Sequence, residues 1–186
     1  MKRKKGFLIS LGLAILVIAV FPLWTQAEID VGDSLAGLLL PSPGTEEATR
    51  YFGLEKNEPF ALEQLEKEYI LFKIVDVYCP VCHEQTPAFN RLYSRIQEDA
   101  SLADKLYVFI IAPEATPTEI TYLYQAWKTP YPILGDHEYI LPEKIGSLNT
   151  PYTILADRAG LVLYAHLGPM PETREMVNKL KEIMEQ

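Results

Sequence analysis

Residues 69–83 read YILFKIVDVYCPVCH, an apolar run that leads directly into a pair of cysteines. The run is rich in Ile, Val and aromatic residues, which favours a strand buried on both faces, as in a parallel sheet. Behind the cysteines, Ala88, Leu92 and Ile96 recur at helical spacing and predict an amphipathic helix. The cysteines therefore lie where a buried strand passes into a helix.

The pentapeptide Cys79-Pro80-Val81-Cys82-His83 holds both cysteines of the chain. Cys-x-x-Cys is a redox motif, and Cys-x-x-Cys-His is also the signature for covalent attachment of a c-type haem. The rest of the sequence has to decide between these two chemistries.

The first 27 residues predict an export signal. Residues 2–5 are basic, and residues 6–27 carry no charge around a strongly apolar core. The stretch ends with small residues in the pattern of a peptidase site, which predicts a signal peptide at residues 1–27, cleaved after Ala27. The uncharged stretch also reaches the length that spans a bilayer, so the alternative is an anchor to the inner membrane formed by residues 7–24. In either case the rest of the chain is exported, to the periplasm or another extracytoplasmic space.

The exported part is acidic and has the size of one domain. The chain has 186 residues, and four of its 17 Lys and Arg precede the apolar stretch. The exported part is left with 13 basic residues against 25 Asp and Glu, a net charge of −12. Such a surface is a poor nucleic-acid binder. With both cysteines in one motif, the domain is not a disulfide-stapled scaffold and must be held together by an apolar core.

The remaining elements follow in an alternating order. Residues 28–50 contain several Gly and Pro and predict an extended lead-in across the surface, followed by a short helix at Ala61–Glu68. After the cysteine helix, the patterns predict a strand at Leu106–Ala112, a helix at Thr118–Lys128, a short strand at Tyr131–Leu134, a short helix or irregular connection at Glu138–Gly146, strands at Tyr152–Ala156 and Leu161–Leu167, and a closing amphipathic helix. A parallel start with an antiparallel finish, covered by helices on both faces, is a three-layer α/β/α sandwich with a mixed central sheet.

With these elements in place, residues 51–186 resemble the thioredoxin superfamily, in its exported TlpA/ResA-like branch. Four matches carry the resemblance: the strand that runs into Cys79-Pro80-Val81-Cys82, Pro87 where the family has a helix-kinking proline, Thr150-Pro151 before a strand, and Gly168 after the last strand. The resemblance implies a thioredoxin-like domain over residues 51–186 that acts as a thiol–disulfide oxidoreductase.

The resemblance also implies a role for the Thr150-Pro151 loop. Pro151 would be a cis-proline facing the cysteines, because an X-Pro bond is where a cis peptide is readily accommodated. Thr150 would present its backbone to an extended partner chain, which could pair with it as an added strand. The alternative is a proline at the start of a strand, where no N–H is needed for the ladder.

A cysteine at a helix N-terminus has particular chemistry. Unpaired backbone N–H groups and the positive end of the helix dipole stabilise a thiolate there, so we expect the pKa of Cys79 to fall below the free value of about 8.5. Cys79 is then the nucleophile that forms a mixed disulfide, and Cys82, one turn on and more buried, is the resolving thiol. Pro80 has no N–H to offer the sulfur, so Pro80 and Val81 are expected to tune the redox potential. No cofactor is expected beyond the redox-active disulfide itself.

Two residues depart from the family pattern. Tyr78 stands before the first cysteine, where the branch commonly has Trp, and Lys73 stands where a buried Asp, Glu or Asn is usual. A buried lysine tends to lose its charge unless it is paired. We therefore expect Lys73 to help set the potential of the pair, with a snorkelling strand residue as the alternative. His83 and Glu84 are further tuning candidates, with plain exposure as their alternative.

Other interpretations stay open. His83, with a methionine or a second histidine, would serve as an axial ligand to a haem. Thioredoxin-fold copper carriers use two cysteines and a distant histidine, here Cys79, Cys82 and His137, although they place three residues between the cysteines. A purely structural disulfide would close a short loop, which stabilises a fold by only about 2 kcal/mol.

The resemblance favours reduction of specific partner disulfides, either in cytochrome c maturation or in general periplasmic thiol exchange. Electrons would come from a membrane thiol transporter of the DsbD/CcdA type. The implied partners are thus protein thiols and disulfides, and not nucleic acid. The direction of transfer depends on differences of a few kcal/mol, which no motif reveals.

Overall fold

The computed structural model describes residues 29–185. The leader predicted at residues 1–27 lies outside this range. Within the described range, no helix has both the length and the apolar character that crossing a bilayer requires.

Strands and helices alternate along most of the chain. In order, they are β1 (Leu39–Leu40), α1 (Glu46–Tyr51), β2 (Phe60–Ala61), β3 (Tyr69–Ile74), α2 (Pro80–Gln97), α3 (Ala100–Ala103), β4 (Leu106–Pro113), α4 (Pro117–Trp127), β5 (Ile133–Asp136), α5 (Glu143–Gly146), β6 (Tyr152–Asp157), β7 (Val162–Leu167) and α6 (Thr173–Met184).

A five-stranded mixed sheet forms the centre of the fold. Its spatial order is β5-β4-β3-β6-β7, and β1 and β2 form a separate small sheet. Strand β3 pairs in parallel with β4, as β4 does with β5, whereas β6 is antiparallel to both β3 and β7. The predicted parallel start and antiparallel finish are therefore confirmed.

Strand β3 buries apolar side chains on both faces, which suits its position at the centre of the sheet. Phe72 is buried in the layer on one side of the sheet and Leu71 in the layer on the other. The Phe72 ring stacks on the Phe109 ring of β4, with centroids 5.6 Å apart. A strand that buries apolar groups on both faces lies inside a parallel sheet rather than at its edge.

Both faces of the sheet are covered. Helices α2, α4 and α6 pack on one face around Phe89, Leu123 and Met176. Residues 29–65 and the region of α5 cover the other face. The predicted three-layer α/β/α arrangement is thus confirmed.

The expected surface lead-in at residues 28–50 is wrong for the part that the structure describes. Ile29, Leu38 and Leu40 are buried, and α1 begins within the segment at Glu46. The Gly32 N–H donates to the carbonyl oxygen of Val162 at 2.8 Å, which ties the segment to β7. The reason is that α2, α4 and α6 all cover the opposite face, so this face of the sheet takes its apolar cover from the N-terminal segment.

The short helix predicted at Ala61–Glu68 is also wrong. Strand β2 ends at Ala61, and a single 3-10 turn follows at Leu62–Gln64. The Gln64 side-chain oxygen accepts the Ala61 N–H at 2.7 Å and closes this turn. Because Leu62 and Leu65 are both buried, the apolar spacing that indicates a helix is satisfied by one turn that inserts two leucines. The other predicted elements agree with the structure apart from shifts at their ends.

Candidate redox site

The paired cysteines lie at the start of α2. Strand β3 ends at Ile74, and Cys79 caps the helix, its Sγ accepting the N–H of Cys82 at 3.1 Å. Pro80 takes the first helical position, where its missing N–H is not needed and its fixed φ suits the helix. The Cys79 N–H donates to the carbonyl oxygen of Asp76 at 3.2 Å, which closes the turn between strand and helix. Local backbone chemistry thus places a sulfur on the helix N-terminus.

Cys79 and Cys82 are joined as a disulfide, with Cα atoms 5.2 Å apart. Cys82 is only 1% exposed, whereas Cys79 is half-buried. Pro80 and Val81, between them, are exposed. A reacting thiol or disulfide from another protein therefore meets Cys79 first.

The loop before β6 reaches Cys79 from the other half of the chain. The Thr150–Pro151 peptide bond is cis. The Thr150 carbonyl oxygen lies 3.8 Å from the Cys79 Sγ. Pro151 is buried, and its carbonyl oxygen accepts the Gly168 N–H at 2.8 Å, which fastens the loop to the end of β7. Two segments that are far apart in sequence therefore meet at the more accessible sulfur.

Both ring nitrogens of His83 are engaged in hydrogen bonds. The indole N–H of Trp127 donates to Nδ1 at 2.8 Å, and Nε2 lies 2.8 Å from the carbonyl oxygen of Val77. Because an indole nitrogen only donates, Nδ1 must accept, so Nε2 carries the proton and donates to Val77. His83 is therefore neutral and half-buried, and it links α2 to α4. In this arrangement neither nitrogen is free to ligate a haem iron.

Tyr78 is exposed but tethered. Its side chain is among the most exposed aromatic groups, yet its hydroxyl donates to Glu119 Oε1 at 2.6 Å and its N–H to Asp76 Oδ1 at 2.7 Å. The Tyr78 hydroxyl and the Thr116 donors hold the pKa of Glu119 down at about 2, well below the ordinary range. The charged carboxylate in turn raises the pKa of Tyr78. Together these contacts tie Tyr78, the residue before Cys79, to Asp76 and to the first turn of α4.

Lys73 is buried and does not snorkel. It is 1% exposed, and its Nζ has no hydrogen-bond partner. The Nζ lies 5.3 Å from the centroid of the Phe89 ring on α2. Burial lowers the pKa of Lys73 to about 8. The chain thus keeps an unpaired amine inside the layer that also holds Cys82.

The hydrogen-bond partners of His83 and Tyr78 on α4 are not indicated by the sequence. Trp127 and Glu119 both lie on α4, 44 and 41 positions from His83 and Tyr78. The available signal is a capping box that marks the start of α4. In it the Thr116 side chain accepts the Glu119 N–H, and the Glu119 side chain accepts the Thr116 N–H. That local signal does not show that Glu119 will accept a hydrogen bond from Tyr78, which lies just before α2.

Two sequence candidates point to solvent instead of packing into this arrangement. Val81 and Glu84 are exposed on the first turns of α2. Among the described residues, no hydrogen bond or ion pair joins Glu84 to the disulfide. Their expected influence on the potential stays a prediction.

The ligand sets of the rival interpretations are not assembled. His137 lies after β5 with its Nε2 4.0 Å from Glu138 Oε1, and the copper set with Cys79 and Cys82 is not brought together. Within residues 29–185, no three His, Cys, Asp or Glu side chains are grouped so that they could hold a metal ion. Met176, a candidate haem ligand, is fully buried in the core.

Comparison with known proteins gives one sequence relative and several structural ones. No family model matches the chain. The chain is 27% identical over 131 residues to the thiol–disulfide oxidoreductase ResA of Halalkalibacterium halodurans, an alignment that covers 69% of each chain.

The solved structures share the fold at low identity. A Chlorobium tepidum protein assigned as the thiol:disulfide interchange protein DsbE matches with a TM-score of 0.61 at 17% identity, over 83% of this chain and 98% of its own. StoA from Bacillus subtilis matches with a TM-score of 0.57 at 17% identity, over 82% of this chain and 99% of its own. The chain therefore has the thioredoxin-like fold of these structures, with a Cys-x-x-Cys disulfide at the start of its helix α2, and its sequence is similar to that of the thiol–disulfide oxidoreductase ResA.

Proposed function

We propose that the protein is an exported reductase of specific protein disulfides, with Cys79 as nucleophile and Cys82 as resolving thiol. The observation that carries this proposal is the asymmetry of the disulfide. The half-buried Cys79 sulfur accepts a helix N–H, whereas the Cys82 sulfur lies in the core. In the reduced protein, the same N–H and the helix dipole favour the Cys79 thiolate.

The exchange runs in two steps. The Cys79 thiolate attacks one sulfur of a partner disulfide, so that a Cys79–partner S–S bond forms, the partner bond breaks, and the other partner sulfur leaves and takes a proton from water. Cys82 then gives its proton to solvent and attacks the Cys79 Sγ. The Cys79–Cys82 bond forms, and the second partner sulfur leaves as a thiolate. The partner gains two electrons, and the protein ends in the disulfide form.

The Thr150-Pro151 loop is the proposed platform for the partner chain. Support comes from the Thr150 carbonyl oxygen, which lies 3.8 Å from the Cys79 Sγ. An extended partner segment that pairs with the Thr150 backbone would lie across the accessible sulfur. Main-chain pairing of this kind accepts many sequences, so the choice of partner depends on neighbouring side chains.

The proposed setting is outside the cytoplasm, where the protein acts in cytochrome c maturation or in general thiol exchange. Support comes from the basic and apolar pattern of residues 1–27. Each cycle consumes two electrons, so a donor dithiol must restore Cys79 and Cys82. A membrane transporter of the DsbD/CcdA type is the proposed donor.

A trapping experiment tests the assignment of the two sulfurs. Cys82→Ser should accumulate a mixed disulfide between Cys79 and its partners when it is produced in its natural compartment, because the second step is blocked. Cys79→Ser is the matched control and should capture nothing. If Cys79→Ser captures partners as well as Cys82→Ser does, the assignment is reversed. Mass spectrometry of the trapped species identifies the partners, and cytochromes among them would support the maturation role.

The reduction potential tests the direction. A value near or below that of thioredoxin, about −270 mV, is expected of a reductase, and a value near −120 mV would show an oxidant. The measurement needs only equilibration of the exported domain with glutathione buffers and separation of the reduced and oxidised forms.

Mass spectrometry of the intact protein from the envelope distinguishes cleavage after Ala27 from an uncleaved anchor.

A further inference from the structure

Lys73 is an unpaired buried cation beneath the redox helix. Its side chain is 1% exposed, and among residues 29–185 no carboxylate forms an ion pair with it and no acceptor meets its Nζ. An unpartnered ionisable group inside a protein is costly, because its charged form loses its hydration. A structural need for bulk would be met by an apolar side chain of similar length.

The strand geometry places Lys73 on the same side of the sheet as the buried cysteine. Its neighbours at alternate positions, Leu71 and Val75, belong to the apolar layer that contains Cys82 and Phe89 of α2. The Nζ lies 5.3 Å from the Phe89 ring centroid. The amine is therefore held between the sheet and the helix that carries both sulfurs.

A second unpaired polar group stands beside Lys73. In the β3–β6 ladder Lys73 lies directly opposite Thr153, two residues after Pro151. Thr153 is fully buried, and its Oγ1 also lacks a hydrogen-bond partner. Two adjacent, unsatisfied polar side chains thus face the helix of the redox pair from below.

The surroundings supply no fixed negative charge. Four tyrosines in or against this layer stay neutral because burial raises their pKa values: Tyr93, Tyr124, Tyr131 and Tyr164. His83 is held neutral by Trp127 and Val77. The carboxylates on the three helices of this face, Glu84, Glu119, Glu175 and Glu182, lie at exposed or partly exposed positions. The group beside this layer that gains negative charge in the reaction cycle is the cysteine pair.

We propose that Lys73 is a positioning residue whose ammonium group serves as the counter-charge to the thiolate formed when the Cys79–Cys82 disulfide is reduced. The proposal rests on the proposed function of these two cysteines. In the step, two electrons from a donor dithiol break the S–S bond, Cys79 becomes a thiolate, and Cys82 takes one proton from solvent. Where Lys73 is neutral in the disulfide form, its amine takes up one further proton from solvent as the thiolate appears.

The pH dependence has a definite sign. With the disulfide formed, burial holds the pKa of Lys73 at about 8. A thiolate nearby favours the ammonium form, so the same amine titrates at a higher pH in the reduced protein. Between the thiol pKa of Cys79 and about pH 8 the ammonium stabilises the reduced form in full. Above the reduced-state pKa of Lys73 the amine is neutral in both forms, and the stabilisation is lost.

The test compares the wild-type protein with Lys73→Met and with Thr153→Val, which removes the other unpaired polar atom but no charge. Each is equilibrated with glutathione buffers from pH 6.5 to 10. At pH 7.5 we expect Lys73→Met to be harder to reduce by about tenfold in the exchange constant, or about 30 mV. The difference should shrink toward zero by about pH 10, and Thr153→Val should follow the wild type. An offset that is absent, or that is the same at every pH, would overturn the proposal.

A measurement on the unaltered protein covers the case in which a variant does not fold. The Lys73 Cε resonance is followed by NMR against pH in the oxidised and in the reduced wild-type protein. A higher titration midpoint in the reduced protein supports the proposal, and equal midpoints contradict it. Failure of the proposed function would look different. Glutathione exchange at Cys79 and Cys82 would still occur and show the Lys73 effect, while partner disulfides would not be reduced.

Discussion

Replacement of Lys73 by Met should stabilise the oxidised protein at pH 7. The amine has a pKa of about 8 in the folded protein against an ordinary value of 10.5. Each tenfold change in proton affinity corresponds to 1.36 kcal/mol, so keeping this ammonium buried costs about 3 kcal/mol. Met fills a similar volume without a charge, so we expect the free energy of unfolding to rise by about that amount.

The same numbers fix how the stability difference varies with pH. Below pH 8 Lys73 is protonated in both the folded and the unfolded protein, and the full cost is present. As the pH rises from 8 toward 10.5, the unfolded chain binds more protons than the folded one, so the wild-type free energy of unfolding increases. The advantage of Lys73→Met should therefore fall by about 2 kcal/mol between pH 7 and pH 9.5.

Urea unfolding of the oxidised protein at several pH values measures this advantage. The difference between two proteins cancels the titration of groups that they share, including the buried tyrosines. Lys56→Met, at an exposed lysine, is the matched control and should leave the pH profile unchanged. If the advantage of Lys73→Met is absent or constant with pH, the pKa of the Lys73 amine is the same in the folded and the unfolded protein, and the reasoning fails. The urea m-values should be equal, so that stabilities are compared between equivalent transitions.

Three further predictions concern other contacts. Trp127→Phe keeps a ring against His83 but removes the indole donor. It should lower the free energy of unfolding by about 1–2 kcal/mol. An effect smaller than about 0.3 kcal/mol would show that the hydrogen bond is unimportant for stability. Tyr78→Phe should raise the pKa of Glu119 from about 2 toward its usual range, which NMR titration of that carboxyl carbon detects; an unchanged pKa would refute the role of the hydroxyl. Leu40→Ala should cost about 2–5 kcal/mol in urea unfolding, because Leu40 is fully buried, while a surface segment would lose little.

The sheet could be predicted because its signals are local. Strands β3 and β4 appear as mostly apolar runs, which Lys73 interrupts in β3, and a strand of that kind has few alternatives to the interior of a parallel sheet. The turn before β7 is equally local, with Gly160 at a φ of 87°. A side chain at Gly160 would also meet the Ala36 backbone N at 2.5 Å, so this glycine admits the N-terminal segment as well as the turn.

The cover of the sheet could not be predicted in the same way. Residues 28–50 carry turn-forming residues that indicate a surface path, and their burial depends on which face α2, α4 and α6 leave open. That choice is made by the whole fold, so Ile29 and Leu40 give no local sign of it. The contacts of His83 and Tyr78 with α4 are hidden for the same reason, because they join residues more than 40 positions apart.

The pentapeptide fits both a redox pair and a haem attachment site, and the contacts of His83 decide between the two. A haem protein needs a histidine nitrogen for iron, but here Trp127 and Val77 hold both nitrogens of His83 and use the ring to join α2 to α4. A redox protein needs its helix start fixed while its sulfurs change state, and this linkage lies one residue after Cys82. On the sheet beneath α2, the buried Lys73 destabilises the disulfide form through an unpaired charge, for which the proposed partner is the Cys79 thiolate of the reduced form. Reduction should therefore recover part of the roughly 3 kcal/mol that burial costs, and Lys73→Met should be less stabilising in the reduced protein than in the oxidised one. Equal stabilisation in both redox states would mean that Lys73 is only a tolerated defect of the core.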